Sequence, residues 1–136
     1  MATLVLTDAF FSINAVDLSD HVKSVSIDYS AEMLDDTAMG DTTRSSKGGL
    51  KDWTMSVEFH QDYAASNVDA TIFSLVGVTT AIIVRADNTA GVSATNPNYT
   101  GTGIVENYQP VAGAVGDLAA VPISIKAAST LTRATS

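Results

Sequence analysis

Gly40, Arg44, Lys47, Gly48, Gly49 and Lys51 crowd into the stretch DDTAMGDTTRSSKGGLKDW, residues 35–53, which holds three of the seven basic residues of an otherwise acidic chain. Glycines beside lysines are what a phosphate cradle uses, because bare backbone N–H groups and a helix N-terminus can converge on an anion. That chemistry requires G-x-x-x-x-G-K-[ST] between a strand and a helix. Here Lys47 precedes its glycines, no Ser or Thr follows it directly, and the next run alternates like a strand. The GTG at 101–103 likewise lacks the third glycine of a dinucleotide fingerprint. Turns or bulges account for these glycines instead.

Other reactive side chains fail on spacing too. Asp35, Asp36 and Asp41 bring the charge of a calcium loop without its D-x-[DN]-x-[DN]-G order. His21 and His60 are the only imidazoles and form no H-x-x-x-H pair, so solvated surface histidines are expected. No G-x-S-x-G elbow supports a Ser-His-Asp triad, and the absence of cysteine removes thiolate nucleophiles, disulfides and Cys-based zinc sites. NYT at 98–100 matches a glycosylation acceptor only by chance in a chain whose start lacks the features of a secretory signal. The sequence therefore predicts no catalytic residue, no cofactor and no metal.

The elements that flank the Gly-rich stretch are more informative. In VKSVSIDYSAEM (22–33), Val25, Ile27, Tyr29, Ala31 and Met33 alternate with Ser24, Ser26, Asp28, Ser30 and Glu32. In DWTMSVEFH, Trp53, Met55, Val57 and Phe59 alternate with Thr54, Ser56, Glu58 and His60. Period two over such lengths predicts two long antiparallel strands, each with one polar face. Twelve residues rise about 40 Å, longer than most strands, and the connection at about 35–51 far exceeds an ordinary hairpin turn. A helix is predicted over about 66–76: Ser66 as its cap, Asp69 in a capping box, Val68, Ile72, Leu75 and Val76 on one face, and Gly77 as its stop. TLVL and AFFSINAVDL near the start, TAIIVRA (80–86), GTGIVENYQ (101–109) and AAVPISIKAA (119–128) supply further strands, with Pro122 at an edge or bulge. The tail, about 129–136, has no periodicity.

Composition sets the outer bounds. The 136 residues fit a single domain, 1–136, and 46% hydrophobic content gives it a core. A net charge of −8 opposes sequence-independent binding of nucleic acid, which needs clustered cations. No run approaches the 18 apolar residues of a membrane span, so a chain without membrane insertion is expected. The fold class is mainly β: a two-sheet antiparallel sandwich, or part of a barrel, with one flanking helix.

The order of these elements, with DYSAEMLDD, MGDTTRSSKGGLKD, WTMSVEFHQDY, VDATIFSLVG, AIIVRAD, the G-x-V-G-D at 113–117 and the LTR at 131–133, resembles the tail tube (major tail) proteins of long-tailed bacteriophages. The resemblance covers about residues 1–133 and is one of pattern and order. It implies a non-enzymatic virion protein, assembled in the host cytoplasm, that forms stacked hexameric rings. Strands from neighbouring subunits would join in a β-barrel tube whose lumen passes viral DNA without specific binding, and tail tip and terminator proteins would be further partners. Carried onto this chain, the lumen positions are Ser24, Ser26, Asp28, Ser30, Glu32, Thr54, Ser56 and Glu58. The inter-subunit and inter-ring loop carries Asp35, Asp36, Asp41, Arg44, Lys47 and Lys51, its basic residues facing acidic surfaces of neighbours. Its composition suits a segment that orders on assembly. A monomeric β-barrel holding a small apolar ligand is the alternative, and it requires apolar residues on both strand faces near a cavity.

Overall fold

Alternation of apolar and polar side chains is realised throughout a computed structural model of the chain, which describes residues 8–65, 67–89 and 91–135. The strands are β1 (Phe10–Ile13), β2 (Val16–Asp17), β3 (Val22–Asp35), β4 (Ser46–His60), β5 (Thr79–Arg85), β6 (Asn98–Tyr108), β7 (Ala120–Ala127) and β8 (Thr132–Ala134), with one α-helix, α1 (Val68–Ile72). They form one eight-stranded antiparallel sheet in the order β2-β1-β5-β6-β7-β4-β3, with β8 also paired to β6. The fold is mainly β, and the sheet is not closed into a barrel.

The sheet makes its own sandwich by bending over. Three strands separate β1 from β4, which in a flat sheet would hold them roughly 19 Å apart. Yet the rings of Phe11 in β1 and Phe59 in β4 meet edge to face with centroids 5.4 Å apart. Between the two layers lie Ile13, Trp53, Met55, Val57, Ile82, Val105, Val121 and Ile125, all buried. Burial of each large side chain contributes about 1.5–3 kcal/mol, which is why period two dictates the face each strand turns inward.

Several boundaries differ from the sequence expectation. The predicted loop at 35–51 is shorter: β3 continues to Asp35 and β4 begins at Ser46, so only residues 36–45 connect them. The helix predicted over 66–76 runs from Val68 to Ile72 and tightens into a 3-10 turn at Phe73–Leu75. Val76 is extended and pairs with Val105, and Gly77, at φ 78°, donates to Val105 O, so backbone pairing with the sheet ends the helix early. Asn67 is the cap residue without a side-chain capping bond, and Asp69 accepts a hydrogen bond from Tyr108 Oη at 2.8 Å. The Ser66 cap and the TLVL strand fall outside the described residues. The tail gains β8, paired with the start of β6.

Of two sequence signals, the proline meets its expected edge only locally, and the glycines have a different cause from the one expected. Pro122 lies in an interior strand, but β6 pairing with β7 begins only at Ile123, so at the proline β4 alone flanks the chain. The glycines of GTG are neither turn nor bulge residues. A Cβ on Gly103 would lie 2.7 Å from Ile125 Cγ2 and 3.1 Å from Trp53 Cη2, and one on Gly101 3.0 Å from Trp53 Cζ2. Both are small because the Trp53 ring lies against the β6 backbone.

Candidate functional site

Pairing between β3 and β4 sets Ser24 opposite Glu58, Ser26 opposite Ser56, Asp28 opposite Thr54 and Ser30 opposite Asp52. Cross-strand partners point to the same side, so these predicted lumen positions share one face, opposite the one that buries Trp53, Met55, Val57 and Phe59. Glu32 continues that face past a register shift between Ala31 and Met33, where its Cβ lies 3.3 Å from the place a Gly49 Cβ would take. β7 and β6 widen it: Ser124 pairs with both Ser56 and Asn107, and Lys126 pairs with Thr54. A shallow concavity of about 300 Å³ lies along it, bordered by Ser24, Ser26, Ser56, Glu58, Asn107 and Ser124.

The sequence reading missed Asn107, Ser124 and Lys126. For the last two the signal was present, because Val121, Ile123 and Ile125 facing inward forces Ser124 and Lys126 outward. Asn107 reaches the row only through a bulge between Val105 and Asn107, which no local pattern announces. The face is less uniformly acidic than the hairpin alone suggests. Lys23 Nζ lies 3.5 Å from Glu58 Oε1, and Lys126 stands in the row of Asp28 and Thr54.

Beyond Thr54 the β3–β4 ladder loses β7 as its third strand and projects as a two-stranded arm. Its end is ordered by local bonds. Thr37 N–H donates to Asp35 Oδ1 at 2.9 Å, Ala38 N–H to Asp41 Oδ2 at 2.8 Å and Ser45 N–H to Thr37 Oγ1 at 2.7 Å. Arg44 Nη1 reaches Asp35 Oδ2 at 3.1 Å, and Lys47 Nζ lies 3.9 Å from Asp36 Oδ2. Thr37 above all, with help from Arg44, holds the Asp35 carboxyl below the ordinary carboxylate range. Two of the three basic residues expected to face neighbouring copies are thus paired within the arm. Lys47 and Lys51 lie in β4 rather than in the loop, and Lys51 sits across from Ala31 with no ion pair among the described residues.

The arm is also an apolar part of the surface. Met33, Leu34 and Tyr29 are exposed, Leu50 is 81% exposed, and Met39 at the very end is entirely so. A concavity at the root of the arm is bordered by Tyr29, Leu50, Trp53 and the segment 127–131. There Trp53 Nε1 donates to Ser129 O at 2.8 Å, bracing the arm against the body.

His21 does structural work. His21 Nε2 meets Asp62 Oδ2 at 2.9 Å rather than standing solvated, and Asp62 also accepts from Asn67 Nδ2 at 2.8 Å and Ala64 N–H at 2.9 Å. The Ala64 N–H bond, followed by the His21 bond, keeps the Asp62 carboxyl below its usual range. This cluster ties the start of β3 to the approach to α1. Among the described residues no group of three His, Asp or Glu side chains could hold a metal ion, and no helix is long and apolar enough to cross a membrane.

No family model matches the chain, and no curated protein matches it in sequence. Solved structures do match in shape. A chain of the virion of a native gene transfer agent particle is 16% identical with a TM-score of 0.70, over 93% of this chain and 95% of that one. A chain of an extracellular contractile injection system, from the PVC sheath/tube terminator in its extended state, is 13% identical with a TM-score of 0.74, over 98% and 97%. A chain of the tail of an empty gene transfer agent particle, refined helically with C6 symmetry, is 16% identical with a TM-score of 0.66, over 83% and 81%. At these identities the likeness is one of fold, and it is the fold of tail and injection-system proteins.

Proposed function

We propose that this protein is a structural subunit of a phage-type tail tube: copies join side by side into hexameric rings, and the rings stack into a conduit for DNA. The observation that carries this reading is the likeness in fold to chains of a gene transfer agent tail and of a contractile injection system, over 83% and 98% of the chain. The geometry supplies the physical parts. β3, the last strand of the sheet, offers a fourteen-residue edge with no partner strand among the described residues, and pairing such edges between copies would protect them from uncontrolled aggregation. The polar face then becomes the channel wall, with Ser24, Ser26, Asp28, Ser30, Glu32, Thr54, Ser56 and Glu58 toward the lumen, joined by Asn107, Ser124 and Lys126. Hydroxyls and amides with few cations let DNA pass without being held. The ligand-carrying barrel is disfavoured because the sheet is open and the space between its layers is filled by core side chains.

Electron microscopy of the purified protein at rising concentration is expected to show rings or tubes of uniform width. A strictly monomeric protein at millimolar concentration would overturn the reading. Replacing Asp28 and Ser56 together by Lys is expected to leave assembly intact and raise DNA retention by the tubes. Unchanged retention would remove those two side chains from the lumen.

A further inference from the structure

Two apolar surfaces stand at opposite poles of the β3–β4 ladder. One is the arm, with Met39 and Leu50 in solvent. The other is the loop of residues 109–119 between β6 and β7, tied to the far end of the ladder by Gln61 Nε2 to Pro110 O at 2.7 Å, Tyr63 Oη to Pro110 O at 2.6 Å and Gln61 N–H to Ala119 O at 3.0 Å. Gly113 and Gly116, at φ 129° and 94°, take the left-handed conformations that let this loop turn back while pushing Val115 fully into water and leaving Leu118 74% exposed. β4 alone, fifteen residues long, sets the poles roughly 45 Å apart.

The poles differ in shape and charge. The arm is a narrow ridge. The loop pole holds a concavity of about 560 Å³ walled by Leu118, Ala112, Pro122, Asp117 and the Lys23–Glu58 ion pair. Arg44, largely in solvent on the arm, has one guanidinium nitrogen bonded to Asp35 and further donors open, while the Asp117 carboxylate makes no hydrogen bond among the described residues. A ridge with open Arg44 donors at one end and a hollow with the unbonded Asp117 carboxylate at the other are complementary to each other rather than to themselves.

We infer that the arm of one copy seats in the loop-pole concavity of a second copy, Met39 and Leu50 against Val115 and Leu118, with Arg44 facing Asp117. This rests on the tube reading and adds to it the surface that the arm meets. A head-to-tail contact of this kind is heterologous, so stacking is open-ended and polar: one end of every stack shows arms and the other shows empty hollows.

The test uses two exposed double variants, Met39→Asp/Leu50→Asp on the arm and Val115→Asp/Leu118→Asp on the loop pole, each checked for parental thermal unfolding. Sedimentation and negative-stain microscopy are expected to show rings from both, with tubes from either alone needing at least about tenfold more protein, as loss of a buried apolar anchor implies. Rings preformed from each and mixed should join in pairs and stop there, because one variant keeps an intact hollow and the other an intact arm. Arg44→Glu should weaken stacking, and adding Asp117→Arg should restore it. Tubes from the loop-pole variant at parental concentration, or arm-to-arm pairing of that variant alone, overturn the inference while leaving the tube reading in place. A parent protein that never assembles overturns both.

Discussion

The same two strands build two regions of opposite character. At their root, from Val22 to Asp28 and Thr54 to His60, the ladder has β7 beside it and buries Met55, Val57 and Phe59. In the arm, from Tyr29 to Asp35 and Ser46 to Asp52, the pairing continues without a third strand among the described residues, and apolar side chains stand in water. Register and hydrogen bonding are alike in both. The difference is the third strand, and it separates the part of the hairpin that stabilises the fold from the part left free for contact.

Trp53 sits on the boundary, so it tests that division most severely. Trp53→Ala removes a buried ring packed on Gly101 and Gly103 together with the bond to Ser129 O, and should cost about 3–5 kcal/mol in urea unfolding. A loss below about 1 kcal/mol would mean the arm is not braced by the body. Gly103→Val approaches the same contact from β6. Its Cβ would fall within 3 Å of Ile125 Cγ2 and Lys126 O, and a cost of about 1–3 kcal/mol is expected from overpacking.

The arm should respond the other way. Replacing residues 38–43 by a short turn leaves the root, β7 and the Trp53 contact in place, so the unfolding free energy should move by less than about 0.5 kcal/mol. Tube formation should be lost. A large loss of stability would show that the arm belongs to the folding unit, and undiminished tubes would show that it is not the contact surface.

That contrast also explains what could be read in the sequence. Core faces of β3, β4 and β7 were legible because alternation is local and burial enforces it. The start of β4 was not: Lys47, Gly48 and Gly49 have poor strand propensity, and they extend only because Leu34 and Met33 pair across from them. The reason for Gly101 and Gly103 lies in a tryptophan about fifty positions away, and β8 exists because β6 offers it an edge. For the candidate site, the polar row of the hairpin followed from period two. The pairing of Arg44 and Lys47 inside the arm did not, because charge composition says nothing about which carboxylate a flexible cation reaches first.

The smallest effect distinguishes the regions by pH. The buried side chains of the root include no ionisable group, whereas the arm loop is organised around Asp35, whose carboxylate accepts from Thr37 and pairs with Arg44. Because its folded value lies below the ordinary 3.8, the contribution of the charged form is complete above that value and disappears as pH falls through the folded one. Being exposed, it should leave global stability almost unmoved and act on the loop alone. Thr37 amide exchange, corrected for its intrinsic rate, should therefore lose protection as pH drops below 3.8 while the amides of Val57 and Phe59 keep theirs. Asp35→Asn retains an acceptor for the Thr37 N–H but cannot titrate, so its Thr37 protection should be flat across the same range. Equal pH dependence in parent and variant would detach the loop from the Asp35 charge, and parallel loss at Val57 would show that arm and root open as one unit.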